Sequence, residues 1–150
     1  MARYKNALRG HFIAPVTDAS TEPQKTDYLE LAKWIEDISD DTDEQTTSTA
    51  YYDGDGTGET TVTAVKGSYT FKGTYDQEDK AMKHIAGLKY KLGNDRLVWH
   101  KVVSADNKTQ WVGIATVSDI KAGSGAAADF EEFGCKISYN SIPKESAVVG

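Results

Sequence analysis

The chain has 150 residues, 39% of them hydrophobic, with 23 acidic against 17 basic side chains and a net charge of −6. That length sets an expectation of one domain, 1–150, able to bury a core without staples. A single cysteine, Cys135, excludes an intramolecular disulfide. No run approaches the roughly 20 apolar residues of a membrane helix, and no dominant basic stripe marks a nucleic-acid binder.

The charge is unevenly spread. Nine acids and no Lys or Arg lie between Trp34 and Val65, which leaves the rest of the chain slightly basic. Arg3, Lys5 and Arg9 make a basic N-terminal arm over about 1–12, with no apolar stretch behind it of the kind a signal peptide carries. Phe12 to Val16 is a short strand candidate, and the polar stretch Thr17 to Asp27 reads as a loop. In residues 28–38, Tyr28, Leu31, Ile35 and Ile38 recur at helical spacing, while Leu29, Leu31 and Ile35 also share a strand face. Periodicity leans to a helix.

Residues 39–61 hold seven Thr, two Ser, seven acids and three Gly, and only Ala50, Tyr51 and Tyr52 are apolar. Such a segment cannot offset its ordering entropy by burial. It is expected as a long acidic, Thr-rich loop, either disordered or ordered by a partner.

From Thr60 to Tyr75 the period is two, with Val65, Gly67, Tyr69, Phe71, Gly73 and Tyr75 on one face of one half-buried strand. Asp76 can cap a helix over about 77–90, with Ala81, Met82, Ile85, Ala86 and Leu88 as its apolar stripe. Gly87 or Gly93 can end it, and Lys83 and His84 point outward. Arg96–Val103, Thr109–Ile120 and Phe133–Asn140 read as three further strands, the first two joined by a turn at Asp106-Asn107. These elements describe antiparallel β structure with one flanking helix.

Signals for chemistry are sparse. His11, His84 and His100 have no second ligand at a metal-binding spacing, and Cys135 has no partner. Asp53-Gly-Asp55-Gly-Thr57-Gly-Glu59 begins like a calcium loop, but Ala64 stands where a bidentate Glu is needed, so a Gly-rich turn at a hairpin tip is the better reading. Gly123-Ser-Gly125-Ala-Ala-Ala128 fits a dinucleotide fingerprint only formally, because no βαβ unit surrounds it. No catalytic residue, cofactor or metal site is expected. The six acids from Glu36 to Glu44 read as a solvated run or as a face for a basic partner.

The order of pieces carries a resemblance. Trp34-Ile35-Glu36-Asp37-Ile38 leads to the acidic Thr-rich stretch, then Tyr51-Tyr52-Asp53-Gly54-Asp55-Gly56, then Tyr69-Thr70-Phe71-Lys72-Gly73-Thr74-Tyr75-Asp76 and a helix from Asp79 to Gly87. Ala115-Thr116-Val117-Ser118-Asp119-Ile120, a small-residue loop, Asp129-Phe130 and the strand Phe133 to Pro143 complete it. Over about 28–143 this resembles the major tail tube proteins of long-tailed (siphovirus) bacteriophages, which are related in fold to the type VI secretion tube protein.

The resemblance implies a mainly β fold of two packed antiparallel sheets, sandwich or barrel-like, with one flanking helix and a long polar loop. It turns residues 28–38 into a strand. Some relatives carry an extra C-terminal immunoglobulin-like domain, which this chain is not expected to have. The implied role is structural and non-enzymatic: hexameric rings stacked into a tube around a tape-measure protein. The tube is completed by tail terminator and baseplate proteins, is assembled in the host bacterial cytoplasm, and carries duplex DNA without specific binding or membrane insertion. On that reading Asp40, Asp41, Asp43, Glu44, Tyr51, Tyr52, Asp53 and Asp55 belong to a ring-stacking loop. The alternative from a different class is a monomeric β-sandwich that binds carbohydrate or peptide through Trp99, Trp111 or surface Tyr.

Overall fold

Alternation of apolar and polar side chains decides where the chain pairs. A computed structural model describes residues 3–16, 23 and 27–148. A 3-10 turn at Asn6–Leu8 precedes β1 (Gly10–Pro15), β2 (Leu29–Glu30), β3 (Ile35–Asp40), β4 (Asp43–Thr49), β5 (Glu59–Lys66) and β6 (Ser68–Thr74). Then come α1 (Lys80–Gly87), a 3-10 turn at Gly93–Arg96, β7 (Leu97–Val103), β8 (Thr109–Ala122), β9 (Glu132–Tyr139) and β10 (Lys144–Ala147).

One antiparallel sheet runs in the order β2-β1-β7-β8-β9-β6-β3, with β10 alongside β8, and β4 pairs only with β5. The two packed layers expected from the resemblance are two halves of that curled sheet. The ring of His11 on β1 stands 5.1 Å from Tyr69 and 5.2 Å from Phe71 on β6, although three strands separate β1 from β6 in the sheet order. Phe71, Phe133, Cys135 and Ile137 meet Ile13, Val98 and Val117 in the enclosed core. A smaller cluster of Ala14, Trp99 and Val112 covers the outer face of the central strand β7. Burial raises the Cys135 thiol to about 12, so it stays protonated.

α1 closes one side of the core through Ala81, Met82 and Ile85. It is shorter than the expected 77–90, and its cap is Asp79 rather than Asp76. The Asp79 carboxylate accepts from the Met82 N–H at 3.2 Å, while Asp76 holds the preceding turn by accepting the Glu78 N–H at 2.9 Å. Both carboxylates can cap, and the turn consumes Gln77 and Glu78. His84 is half-buried rather than outward, and burial lowers its pKa. No helix among the described residues is long and apolar enough to cross a membrane.

Three further expectations change. Residues 28–38 form two strands, β2 and β3, separated by a turn at Lys33-Trp34. The run from Thr60 to Tyr75 is two strands broken at Gly67. A Cβ there would lie 2.8 Å from the Tyr139 ring, and the Gly67 carbonyl accepts the Tyr139 N–H at 2.8 Å. The segment 39–61 is not an irregular loop: it supplies β4, a turn and the start of β5. Its threonines favour extended backbone, and cross-strand pairing satisfies the main-chain groups that burial cannot.

The core also contains a polar chain. His11 Nδ1 lies 3.4 Å from His100 Nε2, and His100 Nδ1 lies 2.6 Å from the Tyr139 hydroxyl. Neutral imidazoles can satisfy this chain with one N–H each, whereas a second proton would place a charge among Phe71 and Tyr69. Burial, with Arg9 assisting, lowers His11 from 6.5 to about 4, and burial also holds His100 well below its usual value. Between these limits the unfolded chain binds more protons than the folded one. Stability is therefore full above about pH 6.5 and is lost as pH falls toward about 4, with His11 alone contributing about 3 kcal/mol. Thermal melts from pH 7.5 to 4 should show this decline, and His11→Gln should flatten it. A melting midpoint independent of pH over that window would contradict the neutral pair.

Candidate functional site

The feature with the strongest demand for a partner is the ribbon formed by β4 and β5. Its register runs from Asp43 opposite Lys66 to Thr49 opposite Glu59, with a bulge between Gln45 and Thr46. Every residue from Ser39 to Lys66 is exposed, including Val62 and Val65. Seven residues of strand reach about 24 Å. A two-stranded hairpin with no covered face is marginally stable at best in water.

The predicted stacking residues fall into two groups that the structure does not bring together. Asp40, Asp41, Asp43 and Glu44 lie at the root. Asp40 accepts the Thr42 N–H at 3.0 Å, Asp41 N–H donates to Ser68 O at 2.9 Å, and the Thr70 hydroxyl donates to the Asp41 carboxylate. These bonds fasten the ribbon to the end of β6. Tyr51, Tyr52, Asp53 and Asp55 form the tip. Tyr52 has no cover at all, and the Asp55 carboxylate accepts the Thr57 N–H at 2.9 Å, which holds its pKa down. Among the described residues no three His, Cys, Asp or Glu side chains are placed to share a metal ion. Trp99, a candidate for ligand binding, is buried, and Trp111 is half-buried.

At the other end of β6 stands a feature the sequence did not flag. Trp34 has φ 64°, a left-handed conformation that a bulky side chain rarely adopts. Its carbonyl accepts the Thr74 N–H at 2.9 Å, and its indole N–H donates to Asp76 at 3.1 Å. The Lys33 ammonium lies 3.3 Å from the same carboxylate. The Glu78 N–H, the indole and Lys33 together keep Asp76 ionised below the usual carboxylate range. Trp34 nevertheless remains exposed, and Phe130 stands exposed across a cleft of about 420 Å³ lined also by Thr74, Tyr75 and Glu131. The only legible signal was Gly73, whose missing Cβ would collide with Trp34 O and lie 2.8 Å from Ile35 Cα.

No family model matches the chain, and no curated protein matches it by sequence. Its fold is shared with chains of solved tail assemblies. One, from the tail of an empty gene transfer agent particle with C6 symmetry, aligns with TM-score 0.67 and 11% identity over 97% of this chain and 100% of that one. A chain from the virion of a native gene transfer agent particle gives 0.60 and 10% over 93% and 95%. One from the tube-terminating cap of the anti-feeding prophage gives 0.55 and 10% over 99% and 93%. The chain thus has the fold of phage tail tube proteins.

Two measurements test this geometry. In the isolated chain the amides of β4 and β5 should exchange with solvent at least about 100-fold faster than those of β7–β9. Equal protection would remove the ribbon's need for a partner. Gly73→Ala should cost about 1–3 kcal/mol in denaturant unfolding, because the new methyl must displace the Trp34 backbone. An unchanged midpoint would show that Trp34 yields freely.

Proposed function

We propose that this chain is a structural, non-enzymatic subunit of a bacteriophage tail tube of the siphovirus kind. Subunits close into hexameric rings, and rings stack head to tail into a hollow tube. The tube grows around a tape-measure protein, meets terminator and baseplate proteins at its ends, and passes duplex DNA. Assembly takes place in the host cytoplasm. The observation that carries this reading is an exposed polar ribbon, unable to bury either face within its own chain, on a fold shared over 97% and 93% of the chain with chains of a gene transfer agent tail and virion.

The physical logic is that of a heterologous interface. A projection on one surface that fits a different surface of the next copy generates open tubes rather than closed dimers. Asp40, Asp41, Asp43 and Glu44 set the ribbon's root on the body, and Tyr51, Tyr52, Asp53 and Asp55 carry its contacts to the adjoining ring. Edge strands left open in a monomer can be completed by neighbours within a ring.

Electron microscopy of concentrated protein should show rings or tubes. Removing 52–58 and closing β4 to β5 with a two-residue turn should leave thermal stability within about 1 kcal/mol, because the removed residues touch no core. The same deletion should abolish tube growth. Tubes of normal length from the shortened chain would reject the ribbon as the stacking element.

A further inference from the structure

We infer that the cleft between Trp34 and Phe130 is the seat for the β4–β5 tip of a second copy of this chain. This rests on the tail-tube reading and adds the receiving surface, which that reading leaves open.

Topology supplies the first reason. β3 passes into β4 through Asp41 and Thr42, and β5 passes into β6 through Gly67 alone. The β3–β6 and β4–β5 ladders are therefore consecutive parts of one interrupted ribbon, bridged by the Asp41-to-Ser68 hydrogen bond. Tyr51 and Tyr52 lie at one end of that ribbon. Trp34, which turns into β3, and Thr74, which ends β6, lie at the other. A chain cannot seat its own tip in its own cleft, but a copy displaced along the ribbon brings tip and cleft together. That is a head-to-tail contact, which repeats without closing.

The second reason is that Trp34 is built into its position rather than merely exposed. A left-handed aromatic residue is strained and persists only where its surroundings enforce it. Here Gly73, the Thr74 N–H, Asp76 and Lys33 enforce it, yet the residue remains 58% exposed and Phe130 opposite is 86% exposed.

The third reason is chemical fit. Tyr51 and Tyr52 are the large apolar side chains of the tip, and Tyr52 contributes its whole surface to solvent. Tyrosine against Trp and Phe gives offset or edge contacts with the hydroxyl left at the wet rim. The cleft continues past Phe130, Thr74 and Glu131 into a groove of about 480 Å³ carrying Lys72, Lys121 and Lys136. Those lysines share the lining with four carboxylates, Glu36, Asp119, Glu131 and Glu132, so the fit is carried by the aromatic contacts rather than by charge.

The test is cysteine cross-linking in the full chain, Tyr52→Cys with Phe130→Cys. The buried Cys135 thiol, raised to about 12, takes no part. Concentrated protein is mildly oxidised and run on a non-reducing denaturing gel, with each single variant run as a control. The seat predicts a ladder of trimers and longer covalent chains from the double variant and at most dimers from either single one. Only monomers or dimers from the double variant overturns the seat, as would be seen were the cleft occupied by a peptide or sugar. Micrographs of the wild type judge the tail-tube reading separately, so tubes without a ladder remove the seat and leave that reading intact. Phe130→Ala, which removes no core contact, should leave the melting midpoint unchanged and raise the concentration needed for assembly about tenfold. Assembly at an unchanged concentration also overturns the seat.

Discussion

β8 is fourteen residues long and holds three neighbours at once. β7 runs along one edge from Gln110 to Thr116, while the other edge takes β10 up to Val112 and β9 from Ala115 onward. A register shift between Ser118 and Lys121 then interrupts the β8–β9 ladder and bends the strand. A strand that must serve partners at both ends cannot lie in a flat sheet, because the right-handed twist accumulates along it. The sheet curls, β1 arrives over β6, and a core closes that neither half could enclose alone. The helix, the histidine chain and the outer cluster on β7 all occupy space which that curl defines.

Filling such a core with a polar chain sets a condition. The hydroxyl of Tyr139 and the two imidazoles satisfy one another, and the surrounding rings of Phe71 and Tyr69 exclude water from them. A satisfied buried network specifies one arrangement of β1, β7 and β9, because sliding any strand by one residue would turn its histidine or tyrosine to the opposite face.

Legibility from sequence followed burial. β8 and β9 were readable because buried and more open positions alternate along them, and β7, buried on both faces from Val98 to Val102, because turn residues bound it; Asp106-Asn107 marks the turn between β7 and β8, with Asn107 at φ 61°. The helix was readable in its apolar stripe, but its start was not, since Asp76 and Asp79 are both good caps and only tertiary packing chooses. β4 and the tip were opaque because period-two alternation shows only where one face is buried, and there neither is, whereas β5 was legible as the start of one strand running on to Tyr75. Their threonines carried a β preference that composition alone could not separate from a polar linker. The acidic residues proposed for stacking separate into root and tip, which no spacing rule announces. Trp34 and Phe130 entered only as members of the ordered pieces that carry the resemblance, not as a site, because single exposed aromatics are ordinary. What distinguishes Trp34 is its backbone conformation, and sequence does not display that.

The ribbon's open faces have a kinetic consequence. A projection that is only marginally ordered by itself must surrender conformational entropy at the moment it is bound. The first contact between two copies bears that cost with a single interface in return. Later arrivals join several ordered neighbours at once. For an assembly joined through β4 and β5, this asymmetry separates slow initiation from fast elongation. In an assembly of that kind free subunits can accumulate without aggregating, and a template that offers a preformed receiving surface determines where growth begins.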